Sequence, residues 1–203
     1  MSGQTSGQAS GRPTSFATWN DMLRVPRILW AALIMSCVIY GGLIASGMLA
    51  RGREEPIVLD PTMALVFAIS AVGVAVTSFL LPASLLRQGL AHAASGVTIE
   101  ERADTESATL FRDAAPRVRS IANPSEARAI FAGRYFTTFI LSVALSEAVA
   151  VFGLAGHVAG FLPMPVALVF VGAAIVLQAL RFPSAARCVA ITERAWNAKW
   201  PTE

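Results

Sequence analysis

The sequence predicts an all-α fold, an integral membrane four-helix bundle with both termini in the cytoplasm and a helical cytoplasmic loop between helices two and three. Three observations carry this. Hydrophobic residues are 55% of the 203 and charged residues 14%, whereas a globular domain carries about 25% charged; mean hydropathy is +0.59. The charges collect between four long apolar blocks. Finally, fourteen of the sixteen bases fall on one side of those blocks.

Residues 1–27, rich in Ser, Gly and Gln, read as a mobile cytoplasmic segment. They lack the basic start and short apolar core of a cleaved signal peptide, so the first span is expected to persist. About 20 apolar residues cross a bilayer core of about 30 Å. Ile28 to Ala50 and Thr62 to Pro82 meet that requirement and form a first hairpin, residues 28–82. Tyr135 to Leu162 meets it again, interrupted only by Glu147 and His157. Met164 to Leu180 is the shortest block; Pro163 and Pro165 mark the turn before it, and residues 135–181 form the second hairpin. Glycine and proline inside such helices are tolerated because neighbours re-satisfy the backbone.

Residues 83–134 form the cytoplasmic loop with helical extensions. Leu85 to Ala94 continues the second helix as far as Ser95-Gly96. Asn123-Pro124-Ser125-Glu126 reads as a helix start, with an Asn cap, Pro at the first position and Glu at the third. Between them, acidic residues from Glu100 to Glu106 precede Arg112, Arg117 and Arg119. Residues 96–123 are either a docking surface for a cytoplasmic partner or a solvated connector. The tail, residues 182–203, reads as an amphipathic helix with Val189, Trp196 and Trp200 on one face, suited to the membrane surface, or as a frayed polar end.

Orientation follows from the bases. The N-terminal segment, the middle loop and the tail hold fourteen; the opposite side holds Arg51 and Arg53 beside Glu54, Glu55 and Asp60. The positive-inside rule puts the richer side in the cytoplasm, and the pattern is that of a multi-pass protein of a bacterial inner (plasma) membrane. This placement also accounts for the pI near 9.4 without a nucleic-acid surface. Cys37 and Cys188 offer neither a disulfide framework nor a metal spacing. With no ligand cluster, phosphate loop or nucleophile–base set, no catalytic residue, metal or cofactor is expected, and the chain reads as non-enzymatic.

Glu147 is the residue with chemistry. It lies about 18 Å along the helix from Tyr135, near mid-membrane, where an ionised carboxylate costs at least about 2.5 kcal/mol. Loss of solvent favours the neutral carboxyl, which donates one hydrogen bond and accepts others. Depth matching nominates Tyr40 on the first helix and Ser70 on the second as partners; Ser142 and Ser146 share its own helix. No arginine or lysine falls at that level. His157, about 15 Å further out, is an interfacial histidine or, less in keeping with a lone histidine, a haem or metal ligand.

The stretch Pro124-Ser125-Glu126-Ala127-Arg128, followed by Ala144-Leu145-Ser146-Glu147-Ala148 and Phe152-Gly153, resembles the second helix of the F-type ATP synthase c subunit. That resemblance implies a cytoplasmic loop ahead of an outward-running helix, with Glu147 at the position that carries the transported proton or sodium. This chain departs from that pattern in a longer Ala127–Glu147 interval, a longer loop, two extra helices, and no Gly-x-Gly repeat in Phe67 to Leu81.

Two functions are expected. One is a non-enzymatic subunit or scaffold of a membrane complex, with Glu147 a buried hydrogen-bonding group. Small residues (Gly41, Gly42, Ala45 and Ser46; Ser70, Gly73 and Ala75; Gly153, Gly156 and Gly160) would let helices approach within the bundle, in a homo-oligomer or against other membrane subunits. The other is proton or cation translocation through Glu147.

Overall fold

The computed structural model describes residues 16–48, 58–103 and 117–201. Helix α1 spans Trp19–Ala45. It starts nine residues ahead of the expected Ile28 because Thr18 and Asp21 form a capping box. The Thr18 hydroxyl accepts from the Asp21 N–H at 3.2 Å, and the Asp21 carboxylate accepts from the Thr18 N–H at 3.2 Å. The segment read as mobile is therefore helical from Trp19 onward; residues 1–15 lie outside the described residues.

Helix α2 spans Pro61–Ala93. The Asp60 side chain caps it, accepting from Thr62 N at 2.9 Å and Met63 N at 3.1 Å. It continues through Pro82 to a short 3₁₀ turn at Ala94–Gly96. Helix α3 spans Pro124–Val158, α4 Met164–Ala179 and α5 Ala185–Trp196. Asn123 precedes α3, but its side chain does not cap the helix. It accepts from Thr98 N at 3.0 Å and donates to Glu126 at 2.7 Å, tying the loop to the helix start.

The connection between α2 and α3 differs from the all-helical expectation. Strands β1 (Ile99–Ala103) and β2 (Arg117–Ile121) pair antiparallel, Ile99 opposite Ile121 and Ala103 opposite Arg117. Lys199 joins β2 in parallel, donating its N–H to Arg119 O at 2.8 Å and accepting from Ile121 N at 3.1 Å. Arg117-Val118-Arg119-Ser120 alternates exposed charged and partly buried residues, the period-two pattern of a half-buried strand, before Ile121 turns into the core. A charge-run reading conceals that alternation. Residues 104–116, the middle of the suggested docking surface, lie outside the described residues.

Two cores result. In the first, Met22 and Leu23 of α1, Leu90 of α2, Ile121 and Phe131 are buried together with Trp196 of α5. The apolar face of the tail helix thus packs on its own protein. Trp196 is 4% exposed, and Trp200 packs edge-on to Trp19 at 4.8 Å between ring centroids. The second core lies between the apolar helices, among Cys37, Ile44, Val149, Ala150, Val171 and Ala174. Helix α3 packs against α1, α2 and α4.

The outward faces of the helices are also apolar: Ile69 is 64% exposed, Leu80 67% and Val169 69%. Such a belt is unstable in water and at home in lipid. Helices α1, α2 and α3 are each long and apolar enough to cross a membrane. Helix α4 has 16 residues, about 24 Å at 1.5 Å per residue, and is the shorter fourth member. The chain is a membrane-embedded helical protein.

Candidate functional site

Glu147 sits on the α1-facing side of α3, half-buried. Its Oε1 accepts a 3.1 Å hydrogen bond from the Tyr40 hydroxyl and a short one from the Ser36 hydroxyl. Ser36 and Tyr40 are one turn apart on α1, so both present oxygens to the same spot. The Ser36 hydroxyl also lies 2.8 Å from Leu33 O. Having a single hydrogen, it can donate to only one of these acceptors at a time.

Of the residues nominated with Glu147, Tyr40 meets it. Ser70 on α2 makes no hydrogen bond to Glu147, and Ser146 turns its hydroxyl back to Ser142 O at 2.9 Å. Depth matching finds residues at the right level but is blind to which side of a helix they occupy. Ser36 was reachable as the residue one turn from Tyr40 on the same face.

Beside this cluster, Cys37 and Gln178 are both fully buried, and the Gln178 amide donates to Cys37 Sγ at 3.5 Å. Trp30 Nε1 donates to Gln178 O at 2.8 Å, holding the end of α4 to α1. Gln178 Oε1 is buried without a hydrogen-bond partner among the described residues.

Arg181 forms a second polar centre. Immediately beyond α4, it folds inward between α2 and α3 and is 8% exposed. It donates to Ser142 O and Oγ and, at 2.7 Å, to Ser78 Oγ. Its guanidinium carbon lies 4.2 Å from the Phe79 ring centroid. Counting Arg181 only as an orientation marker misses this role; the available signal is a base directly abutting an apolar helix with no intervening polar residue. Even so, Glu147 makes no ion pair among the described residues. The two ion pairs found there, Arg102–Glu100 at 3.2 Å and Arg117–Glu101 at 3.9 Å, both belong to the exposed strands.

His157 is buried, with Nδ1 3.0 Å from Leu162 O across the α3–α4 turn. Among the described residues no group of three His, Cys, Asp or Glu could hold a metal ion. Chemically, then, the interior offers a carboxyl bonded by two hydroxyls and a buried guanidinium bonded by neutral oxygens.

Fold and site together define a membrane-embedded helical bundle with a polar interior contact between α1 and α3. No protein-family model matches the chain, and neither the curated proteins nor the solved structures contain a significant match.

Proposed function

We propose that the chain is a non-enzymatic integral membrane subunit or scaffold of a larger membrane complex, in which Glu147 locks α1 to α3. The observation that carries this is the carboxyl oxygen shared by Ser36 and Tyr40. Tyr40 donates to Oε1, and Ser36 shares its one hydrogen between Oε1 and Leu33 O. In this reading the chain lies in a bacterial inner membrane with both termini cytoplasmic, following the distribution of bases. Partners are other membrane subunits or further copies of the chain. A Cβ added at Gly42 or Gly73 would meet nothing within 4 Å, leaving room there for another helix.

A second reading is proton or cation translocation through Glu147, in line with the resemblance to the ATP synthase c subunit. It is favoured by the partial exposure of Glu147.

Glu147→Gln separates the two. The amide oxygen can accept from both hydroxyls in nearly the same shape, so a lock survives: assembly, melting and complementation of a deletion strain all stay near wild type. Glu147→Leu removes both bonds and should lower stability by about 1–3 kcal/mol, at about 0.5–1.5 kcal/mol per hydrogen bond. If the Gln variant assembles normally yet fails to complement, the carboxyl has to titrate and the translocation reading replaces the lock.

A further inference from the structure

We propose that the trough between α2 and α5 is a binding site for an anionic phospholipid, whose phosphate sits among arginines and whose acyl chain lies along α2. The proposal rests on the membrane-embedded reading above and adds a specific ligand to it.

Two cavities, of about 560 and 390 Å³, adjoin along α2 and share Ala83, Leu86, Arg187 and Ile191, so they form one trough. Along α2 it reaches from Ser78 to Ala91, about 20 Å at 1.5 Å per residue. Its inner end lies within the apolar part of α2 and α3; its outer end lies beside α5, in the basic cap. It therefore crosses the level at which lipid phosphates lie. Leu86, Leu90 and Ile191 make its walls apolar, and the adjoining surface of α2, with Leu80 and Leu85 exposed, continues into the lipid-facing belt.

Charge decides the occupant. Arg87, Arg187 and Arg194 line the outer cavity and are exposed; Arg181 closes the inner end and is buried. No Asp or Glu lines either cavity, and among the described residues none pairs with these four guanidiniums. The hydrogen bonds of Arg181 go to serine oxygens, and its Nε has no hydrogen-bond partner among the described residues. A buried cation surrounded only by neutral dipoles is costly, and a nearby anion offsets that cost. Guanidinium forks match phosphate oxygens, and basic pockets at the cytoplasmic ends of membrane helices suit anionic headgroups. A soluble anion would have no use for the apolar walls.

The test uses full-length protein in mild detergent, titrated separately with dioleoyl phosphatidylglycerol, dioleoyl phosphatidylcholine and inorganic phosphate. Bound lipid is read by native mass spectrometry and the thermal midpoint is followed in parallel. The variant R87Q/R187Q/R194Q empties the outer trough of charge; R117Q/R119Q/K199Q removes the same charge elsewhere; A190W fills the apolar wall. Phosphatidylglycerol should bind wild type at least about tenfold more tightly than phosphatidylcholine. At about fivefold per arginine, the trough variant should lose about a hundredfold, with the charge control near wild type. A190W should lose binding with its charge intact.

Equal losses in the two triple variants would reduce the effect to diffuse attraction by a basic surface and overturn the proposal. So would indifference between the lipids, or a thermal shift by inorganic phosphate equal to that by phosphatidylglycerol. Retained binding in A190W would overturn the acyl-chain placement. If phosphatidylglycerol binds only after D104N/E106Q, the trough belongs to the chain's own acidic segment and the lipid assignment falls. Extraction of the chain from membranes by alkaline carbonate would instead defeat the membrane reading itself. Firm retention without lipid preference would defeat this proposal alone.

Discussion

Gly153→Ala should part α3 from α4, whereas Gly42→Ala should not. A Cβ at Gly153 would stand 2.7 Å from Ala167 O and 2.7 Å from Phe170 Cβ, both on α4. A backbone carbonyl cannot swing aside as a side-chain end does, so the helices must separate by several tenths of an ångström. Overpacking of this kind costs about 1–3 kcal/mol. Alanine recovers about 1 kcal/mol as the better helix former, so the expected net loss is about 0–2 kcal/mol and the gap to Gly42→Ala is about 1–3 kcal/mol. At Gly42 a Cβ meets nothing within 4 Å, and only the propensity gain of up to about 1 kcal/mol remains. Reversible unfolding of purified protein in mixed micelles, titrated with denaturing detergent and followed by tryptophan fluorescence, measures both. Matching stabilities for the two variants would refute the close α3–α4 approach, and with it the division of the glycines into packed and open positions.

Other consequences follow from the same contacts. Ser36→Ala and Tyr40→Phe should each cost about 0.5–1.5 kcal/mol; in a Glu147→Leu background those costs should shrink, and undiminished costs would show that Glu147 is not their partner. Cys188 is fully buried, and burial pushes its thiol up to about 12 from an ordinary 9.0. Between those values the unfolded chain has released the proton that the folded chain keeps, so this group's contribution to stability falls as pH rises from about 9 toward 12. At pH 8 maleimide should leave Cys188 unlabelled until the protein is denatured; rapid labelling of folded protein would contradict its burial. A cysteine at position 107, outside the described residues, should resist impermeant reagents in intact cells and react after permeabilisation, and labelling of intact cells would overturn the cytoplasmic loop.

The sequence alone determined that the four apolar blocks are helices and that three of them are of bilayer length, because lipid leaves the backbone no partner but itself and a core of about 30 Å sets the residue count. It also gave the position of Glu147 along its helix, since distance along the axis follows from a rise of 1.5 Å per residue. The start of α1 was legible in Thr18 and Asp21, and β2 in the alternation from Arg117 to Ser120, although both signals sit in polar stretches that hydropathy passes over. Tertiary structure decided what depth cannot: Tyr40 and Ser36 face Glu147 whereas Ser70, at a similar level, does not. A helix apolar on every side carries no periodic stripe to show which side packs, so its rotation about its own axis is set by its neighbours. The same holds for Arg181 and Trp196. Each reads locally as a surface residue beside a membrane helix, and each is buried because a distant segment closes over it: α2 and α3 over Arg181, the cap core over Trp196.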